Sequence, residues 1–314
     1  MTAQSQSAPL QGRGLDGAAF LPGERILLGY ILVLMLGTLA LVWGLGRDVD
    51  WAGFAPGVAA AFGMVAIGGY ARARAKAPRL AAGAIGVGAF MAISALSAIF
   101  IFALFPLHNP LIDLQLMRID AVLGYDWAGF VTALSAYPAL VRPLAWLYHS
   151  SLPQILGLVV ILAVQRREVQ MQRLLLSGCL ALVVTTAIWW LWPSIGPSGF
   201  AQIPTVISQS IGLLTSPEVG AALLHLAQAG PGVIRPEVVT GVVAFPSYHI
   251  VMALMVAVYA RGTWYFPLAL IAAVLMVPTT LSHGGHHLVD LIAGALVFTL
   301  AAWVARRLVP DAAA

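Results

Sequence analysis

Two short clusters carry the groups in this chain that could do chemistry. One is Phe245-Pro246-Ser247-Tyr248-His249. The other runs from Thr280 through Ser282-His283-Gly284-Gly285-His286-His287 to Asp290 and holds three of the seven histidines. His286 and Asp290 are four residues apart, so on a helix they share one face. Asp290 can then accept the imidazole N–H of His286, fix its tautomer and raise the basicity of the other nitrogen. Pro246 suits the first position of a helix, where its missing N–H costs nothing. Ser247 and the amides of that first turn can hydrogen-bond an anion, helped by the helix dipole. His249, in the same turn, can carry a proton to a leaving oxygen as general acid. His286 can attack phosphorus as a nucleophile, and Gly284 and Gly285 let backbone approach the phosphoryl group. The set fits in-line phosphoryl transfer through a covalent phosphohistidine, with no metal and no other cofactor required.

The elements that must position these groups are membrane helices. Of 314 residues, 61% are hydrophobic and 9% charged, with a mean hydropathy of +0.92. A soluble domain is about 25% charged, so the expected fold is an all-α, multi-spanning membrane protein. At about 20 residues per crossing, spans are expected near 26–45, 53–70, 81–105, 143–165, 173–193, 246–261, 264–281 and 286–306. Residues 1–24 read as a mobile polar tail, 25–75 as a two-helix addition and 76–310 as the catalytic membrane domain. The run 26–45 is too long for a signal-peptide core and reads as a retained span.

Loop charges test the count. With the N-terminus cytoplasmic, twelve Lys and Arg fall in cytoplasmic segments, and only Arg47, Arg118, Arg142 and Arg235 fall on the other side. That is a positive-inside bias. Both termini then lie in the cytoplasm, and His249 and His286 fall together on the outer face. The net charge of +4 therefore reports topology, and no nucleic-acid partner is expected. Fifteen Arg against one Lys, with many Ala and Gly, point to a GC-rich bacterial gene, hence an inner membrane with the active site facing the periplasm. The lone Cys179 excludes an intramolecular disulfide and a cysteine-based metal site. The outer segments 106–142 and 193–245 exceed ordinary loops. They read as a lid or vestibule, the first with an interfacial helix.

These residues resemble the type 2 phosphatidic acid phosphatase superfamily, and within it the inositol phosphorylceramide synthase-like branch. The family's PSxH is met by Pro246-Ser247-Tyr248-His249 and its HxxxD by His286 and Asp290. Weaker likenesses are Asp120 with Gly124-Tyr125-Asp126-Trp127, Tyr148-His149-Ser150, and Trp192-Pro193 with Gly196-Pro197. The likeness covers roughly 81–307 and implies a six-helix core, with the first two spans added. It implies His286, Asp290 and His249 as catalytic residues. Ser247, Tyr248, Gly285, Arg235 and His283 are the substrate-binding candidates. The implied reaction is transfer of a phosphoryl head group between lipids, or hydrolysis of a phospholipid or polyprenyl phosphate; the substrate is a lipid phosphate in the bilayer. The sequence departs from the family in two places. Thr280 stands where its phosphatases carry an Arg, and Arg235-Pro236 lacks the upstream Lys.

Other readings stand beside this one. His286 and Asp290 could brace two helices. His283, His286, His287 and Asp290 could bind zinc, although no conventional zinc spacing is met. A transporter could use the histidines as a proton relay. His149 reads as a core residue, His287 as supporting, and His108 and His225 as loop residues.

Overall fold

Long runs of Leu, Ile, Val and Ala fold into helices because a bilayer leaves backbone amides no other partner than their own chain. The computed structural model describes residues 19–311. Three helices open the chain: α1 (Pro22–Gly44), α2 (Trp51–Ala73) and α3 (Pro78–Ala103). Three short ones follow: α4 (Asp113–Val122), α5 (Trp127–Leu134) and α6 (Pro138–His149). Then come α7 (Ser151–Val164), α8 (Glu168–Leu191), α9 (Thr205–Ile211) and α10 (Pro217–Ala229). The last three are α11 (Tyr248–Tyr259), α12 (Phe266–Ser282) and α13 (Leu288–Leu308). Proline holds the first position of α1, α3, α6 and α10 and the second of α12, where the absent N–H is no loss. The protein is an all-α, multi-pass membrane protein.

Eight apolar helices lie at the eight expected places, with two differences. Among the described residues, α1, α2, α3, α8 and α13 are long and apolar enough to cross a membrane, with the bent pair α5–α6 a sixth if it forms one span; α7, α11 and α12 have 14, 12 and 17 residues. At 1.5 Å per residue those three fall short of a hydrocarbon core of about 30 Å. The span expected near 143–165 is also not one rod. It divides at Ser150 into α6 and α7, and α6 is bent by 118° against α5. The expected tail at 1–24 ends earlier, because α1 begins at Pro22 and Glu24 is buried. Residues 1–18 lie outside the described residues. His225 sits in α10 and not in a loop.

Side-chain contacts show which helix ends lie together. Arg72, ending α2, pairs with the buried Glu24 of α1 and, at 3.5 Å, with Glu168 of α8. Arg167 donates to the Gly262 carbonyl beyond α11, and Arg173 to Val309 beyond α13. The cationic turns thus gather at one end of the bundle. The opposite end, where α11 and α13 begin, is covered by the two long segments. Residues 106–142 form α4, α5 and the start of α6 there. Residues 193–245 form a 3₁₀ turn, α9, α10, a two-residue strand and a second 3₁₀ turn. Strand β1 (Asp48–Val49) pairs in parallel with β2 (Val233–Ile234), tying the α1–α2 turn to this cover. The core lies between α3, α7, α8, α11 and α13, filled by Leu158, Leu162, Leu174, Val251 and Ala301.

Candidate active site

The start of α13 is built differently from a shared helix face. His287 is the N-cap and α13 begins at Leu288, so His286 precedes the helix and Asp290 is its third residue. The pair still meets, through the capping turn. Asp290 Oδ2 accepts the Nδ1–H of His286 at 3.0 Å and the backbone N–H of His287 at 3.0 Å. With Nδ1 engaged by a carboxylate, Nε2 of His286 is the nitrogen left for chemistry. Both side chains are buried, His286 3% and Asp290 0% exposed.

The start of α11 lies against them. Ser247 is the N-cap and Pro246 precedes it, so the proline does not hold the first helical position. The N–H of Ser247 donates to the carbonyl of Asp290 at 3.0 Å, which removes that amide from the anion-binding set expected of this turn. The contact requires Gly294: a Cβ there would lie 2.4 Å from the Ser247 carbonyl oxygen. In the same first turn, His249 faces His286, ring centroids 6.1 Å apart and the rings inclined at 68°. Tyr148, near the end of α6, stacks on His249 at 4.0 Å with the rings 20° apart. Tyr248 serves a different surface. Its hydroxyl donates to the Gly178 carbonyl of α8 at 3.1 Å, so the structure places it in helix packing and not with the substrate-binding candidates.

A second tier of carboxylates holds this end of the bundle together. Asp113 and Asp120 are seven residues apart on α4 and buried on one face with Leu116. Asp120 accepts the N–H groups of Leu288 and Val289, each at 3.0 Å, and so caps α13. Asp113 accepts the Ser194 hydroxyl at 2.7 Å and the amides of Ile195 and Gly196 at 3.2 and 2.8 Å. His287 lies between them, Nδ1 3.2 Å from Asp120 and Nε2 3.4 Å from Asp113. Burial alone lowers the pKa of His287. Hydrogen bonds to Asp113 and Asp120, with the field of Asp290, outweigh it and raise the pKa to about 9. His287 is a fully buried clamp with both nitrogens used, so it is not free to join His286 and His283 around a zinc ion.

The remaining candidates divide. His283 donates Nε2–H to the Val141 carbonyl at 3.0 Å, which fastens the start of α6 to the end of α12. Its Nδ1 has no partner, like Ser247 Oγ, Thr280 Oγ1 and Asp290 Oδ1. Such buried, unpaired atoms are rare. The hydroxyls of Ser247 and Thr280 can donate to a phosphoryl oxygen, which makes them candidate phosphate ligands; Asp290 Oδ1 and the unprotonated His283 Nδ1 can only accept. Gly285 adopts φ +57° and its carbonyl abuts Gly196, where a Cβ would lie 2.2 Å away. That approach brings the Pro193–Gly196 segment onto the histidines. Arg235 is exposed beside β2, and among the described residues no hydrogen bond or ion pair ties it to the site. Arg142 donates to the Ser210 carbonyl at 2.9 Å. His149 is exposed at the end of α6 and not in the core.

Asp113 and the stacking of Tyr148 on His249 did not follow from the sequence. The available signal was two carboxylates at i and i+7 in an outer segment of apolar character, a spacing that puts both on one helical face.

The family model for the PAP2 superfamily matches residues 114–304, more than half of the chain, and spans α4 to the last turns of α13. The chain belongs to the PAP2 superfamily, whose members are generally phosphatase-type enzymes. The match omits α1, α2, α3 and Asp113. No curated protein and no solved structure matches the chain.

Proposed function

We propose that this PAP2 superfamily member is a membrane lipid phosphotransferase of the inositol phosphorylceramide synthase-like kind, acting through a phosphohistidine at His286. The observation that carries the reading is the buried His286–Asp290 pair at 3.0 Å, faced by His249 across 6.1 Å. In the first step the Nε2 lone pair of His286 attacks phosphorus and the bond from phosphorus to the donor oxygen breaks. His249 gives its proton to that leaving oxygen. Asp290 holds Nδ1–H and stabilises the positive charge on the ring. In the second step the neutral His249 takes the proton of an acceptor hydroxyl. The acceptor oxygen bonds to phosphorus, the P–N bond breaks and His286 is restored. Ser247 and Thr280 supply hydroxyl hydrogen bonds to the phosphoryl oxygens, and His283 does so from Nδ1 when its ring is protonated, where the family's phosphatases use an Arg.

Transfer is favoured over hydrolysis by the cover on the site. The segments 106–142 and 193–245 pack directly on it through His287, His283 and Gly285, and excluding water is the usual work of such a cover. Hydrolysis of a phospholipid or polyprenyl phosphate is the second reading, favoured by the prevalence of phosphatases in the superfamily. The site would face the periplasm of a bacterial inner membrane, with both termini cytoplasmic.

The test is partitioning. Purified protein is incubated with a labelled phospholipid donor and a candidate alcohol acceptor. Transfer predicts a labelled product whose rate rises with acceptor, abolished in His286→Ala. Free phosphate or free head group released at a rate independent of every alcohol tried would leave the phosphatase reading standing. No turnover of either kind would leave the proton-relay transporter.

A further inference from the structure

The bundle's other end carries a cavity that the reaction above does not use. It has a volume of about 420 Å³ and lies where α8, α11 and α13 meet, among Arg173, Arg261, Arg306, Arg307, Tyr259 and Asp311. Four arginines drawn from three parts of the chain line it together with one aspartate, which pairs with Arg173. A general positive-inside surplus would spread cations over the turns. It gives no reason for four of them to converge on a concavity between helices.

Two details point to a ligand. The first is Arg173, whose side chain is 12% exposed. A nearly buried cation needs a close partner, but the partner here is Asp311 at 2.9 Å, 87% exposed and on the segment that follows α13. An ion pair held by so exposed a carboxylate contributes little. Nε of Arg173 meanwhile donates to the Val309 carbonyl at 2.8 Å, which aims the guanidinium at the cavity. The second is Tyr259, which is 4% exposed and lines the same cavity; its buried hydroxyl has Ser177 nearby but makes no well-formed hydrogen bond among the described residues. A tetrahedral oxyanion would pair with Arg173 and accept from that hydroxyl. The side chain of Trp303, 56% exposed with Arg307 5.2 Å above its ring, marks the rim as the membrane interface. Basic pockets between membrane helices at this level suit phosphate-bearing head groups.

We propose that this cavity is a second phosphate-binding site, separate from the histidines, that takes the head group of an anionic phospholipid. Asp311 occupies part of it as an internal competitor and is displaced on binding.

The experiment uses the full-length protein in neutral detergent and follows its unfolding midpoint. Three additives are titrated separately: phosphatidylglycerol, phosphatidylcholine and inorganic phosphate. Phosphatidylglycerol is expected to raise the midpoint at the lowest mole fraction, and phosphatidylcholine to have little effect. The double variant Arg173→Gln/Arg306→Gln is expected to shift half-saturation by roughly 30-fold, from about 1 kcal/mol for each basic side chain near a lipid surface. Asp311→Asn leaves the cavity wall intact and removes the competitor, so it is expected to lower half-saturation severalfold. It keeps the proposal testable if the double variant does not fold. A response to inorganic phosphate that is lost in the double variant supports the phosphate chemistry and assigns the site to a soluble anion as well. Equal stabilisation by both lipids, a response unchanged in the double variant, or no gain in Asp311→Asn would overturn the proposal.

Discussion

Replacing Gly294 by Ala tests whether the two histidine-bearing helix starts work as one unit. The substitution removes no polar group, and the atoms nearest the added Cβ are backbone atoms of Ser247. Intrinsic helix propensity favours it by about 1 kcal/mol. The added Cβ, however, would lie 2.4 Å from the Ser247 carbonyl oxygen and 3.3 Å from its carbon. Ordinary carbon–oxygen contacts are about 3.3–3.6 Å, so α13 and the start of α11 must separate by about 1 Å. The Ser247 to Asp290 backbone bond, 3.0 Å long, then stretches beyond hydrogen-bonding range. His249 moves off His286 by a similar amount. Overpacking of this kind costs about 1–3 kcal/mol, enough to cancel the propensity gain and leave a modest net loss of stability. The effect on rate is larger, because a misplacement of about 1 Å can lower turnover about 100-fold. The assay is turnover of a lipid phosphate by purified protein, with the unfolding midpoint measured alongside. Gly29→Ala, where an added Cβ meets nothing within 4 Å, is the control and should behave as the parent. A Gly294→Ala protein that turns over at the parent rate would refute the claim that the helix contact positions the histidines.

Asp290→Asn should keep the fold and lose roughly 10²–10⁴-fold in rate, because it breaks the orienting hydrogen bond to His286; a loss below tenfold would remove Asp290 from the mechanism. Asp120→Ala should destabilise by about 3–5 kcal/mol, the cost of leaving a buried charge pair half made, and a midpoint equal to the parent's would show that α13 does not need its cap. His287 has its folded pKa raised to about 9 from about 6.5 unfolded. Its contribution to stability is therefore full below about pH 6.5 and is lost as pH rises through 9. The midpoint should fall across that interval and stay flatter in His287→Gln. Tyr148→Leu should slow substrates with poor leaving groups about tenfold while sparing nitrophenyl substrates, since the stacked ring positions the proton donor; equal losses on both would make its role structural. For topology, Glu237→Cys in a Cys179→Ala background should react with an impermeant thiol reagent in intact spheroplasts, and Lys76→Cys only after lysis. The reverse pattern would turn the active site to the cytoplasm.

Several features of the molecule were legible from single stretches of chain. The eight apolar rods, the clustering of Arg72, Arg167, Arg173 and Arg306 at one end, and the placing of Ser247, His249, His286 and Asp290 at two helix starts all follow from local composition. Transfer into a bilayer is close to additive over neighbouring residues, so a window of sequence suffices to read it. The length of α7 was not readable in that way, nor was the break at Ser150. Apolar residues there continue past the helix ends because the cover, and not water, surrounds them.

Tertiary structure decided which groups meet. His287 and Asp120 lie 167 residues apart and His287 and Asp113 lie 174 apart, and nothing local to either end specifies those pairs. Asp120 caps α13 and so sets its start at Leu288, which turned a presumed helical face at His286 and Asp290 into a capping turn. The same packing chose Tyr148 over Tyr248 as the aromatic partner of His249, because α8 offered the Tyr248 hydroxyl a carbonyl. Hydrophobic burial depends on how much surface a residue hides and can be read from its type. A hydrogen bond depends on two groups arriving at about 3 Å with the right angle, and only the assembled helices fix that.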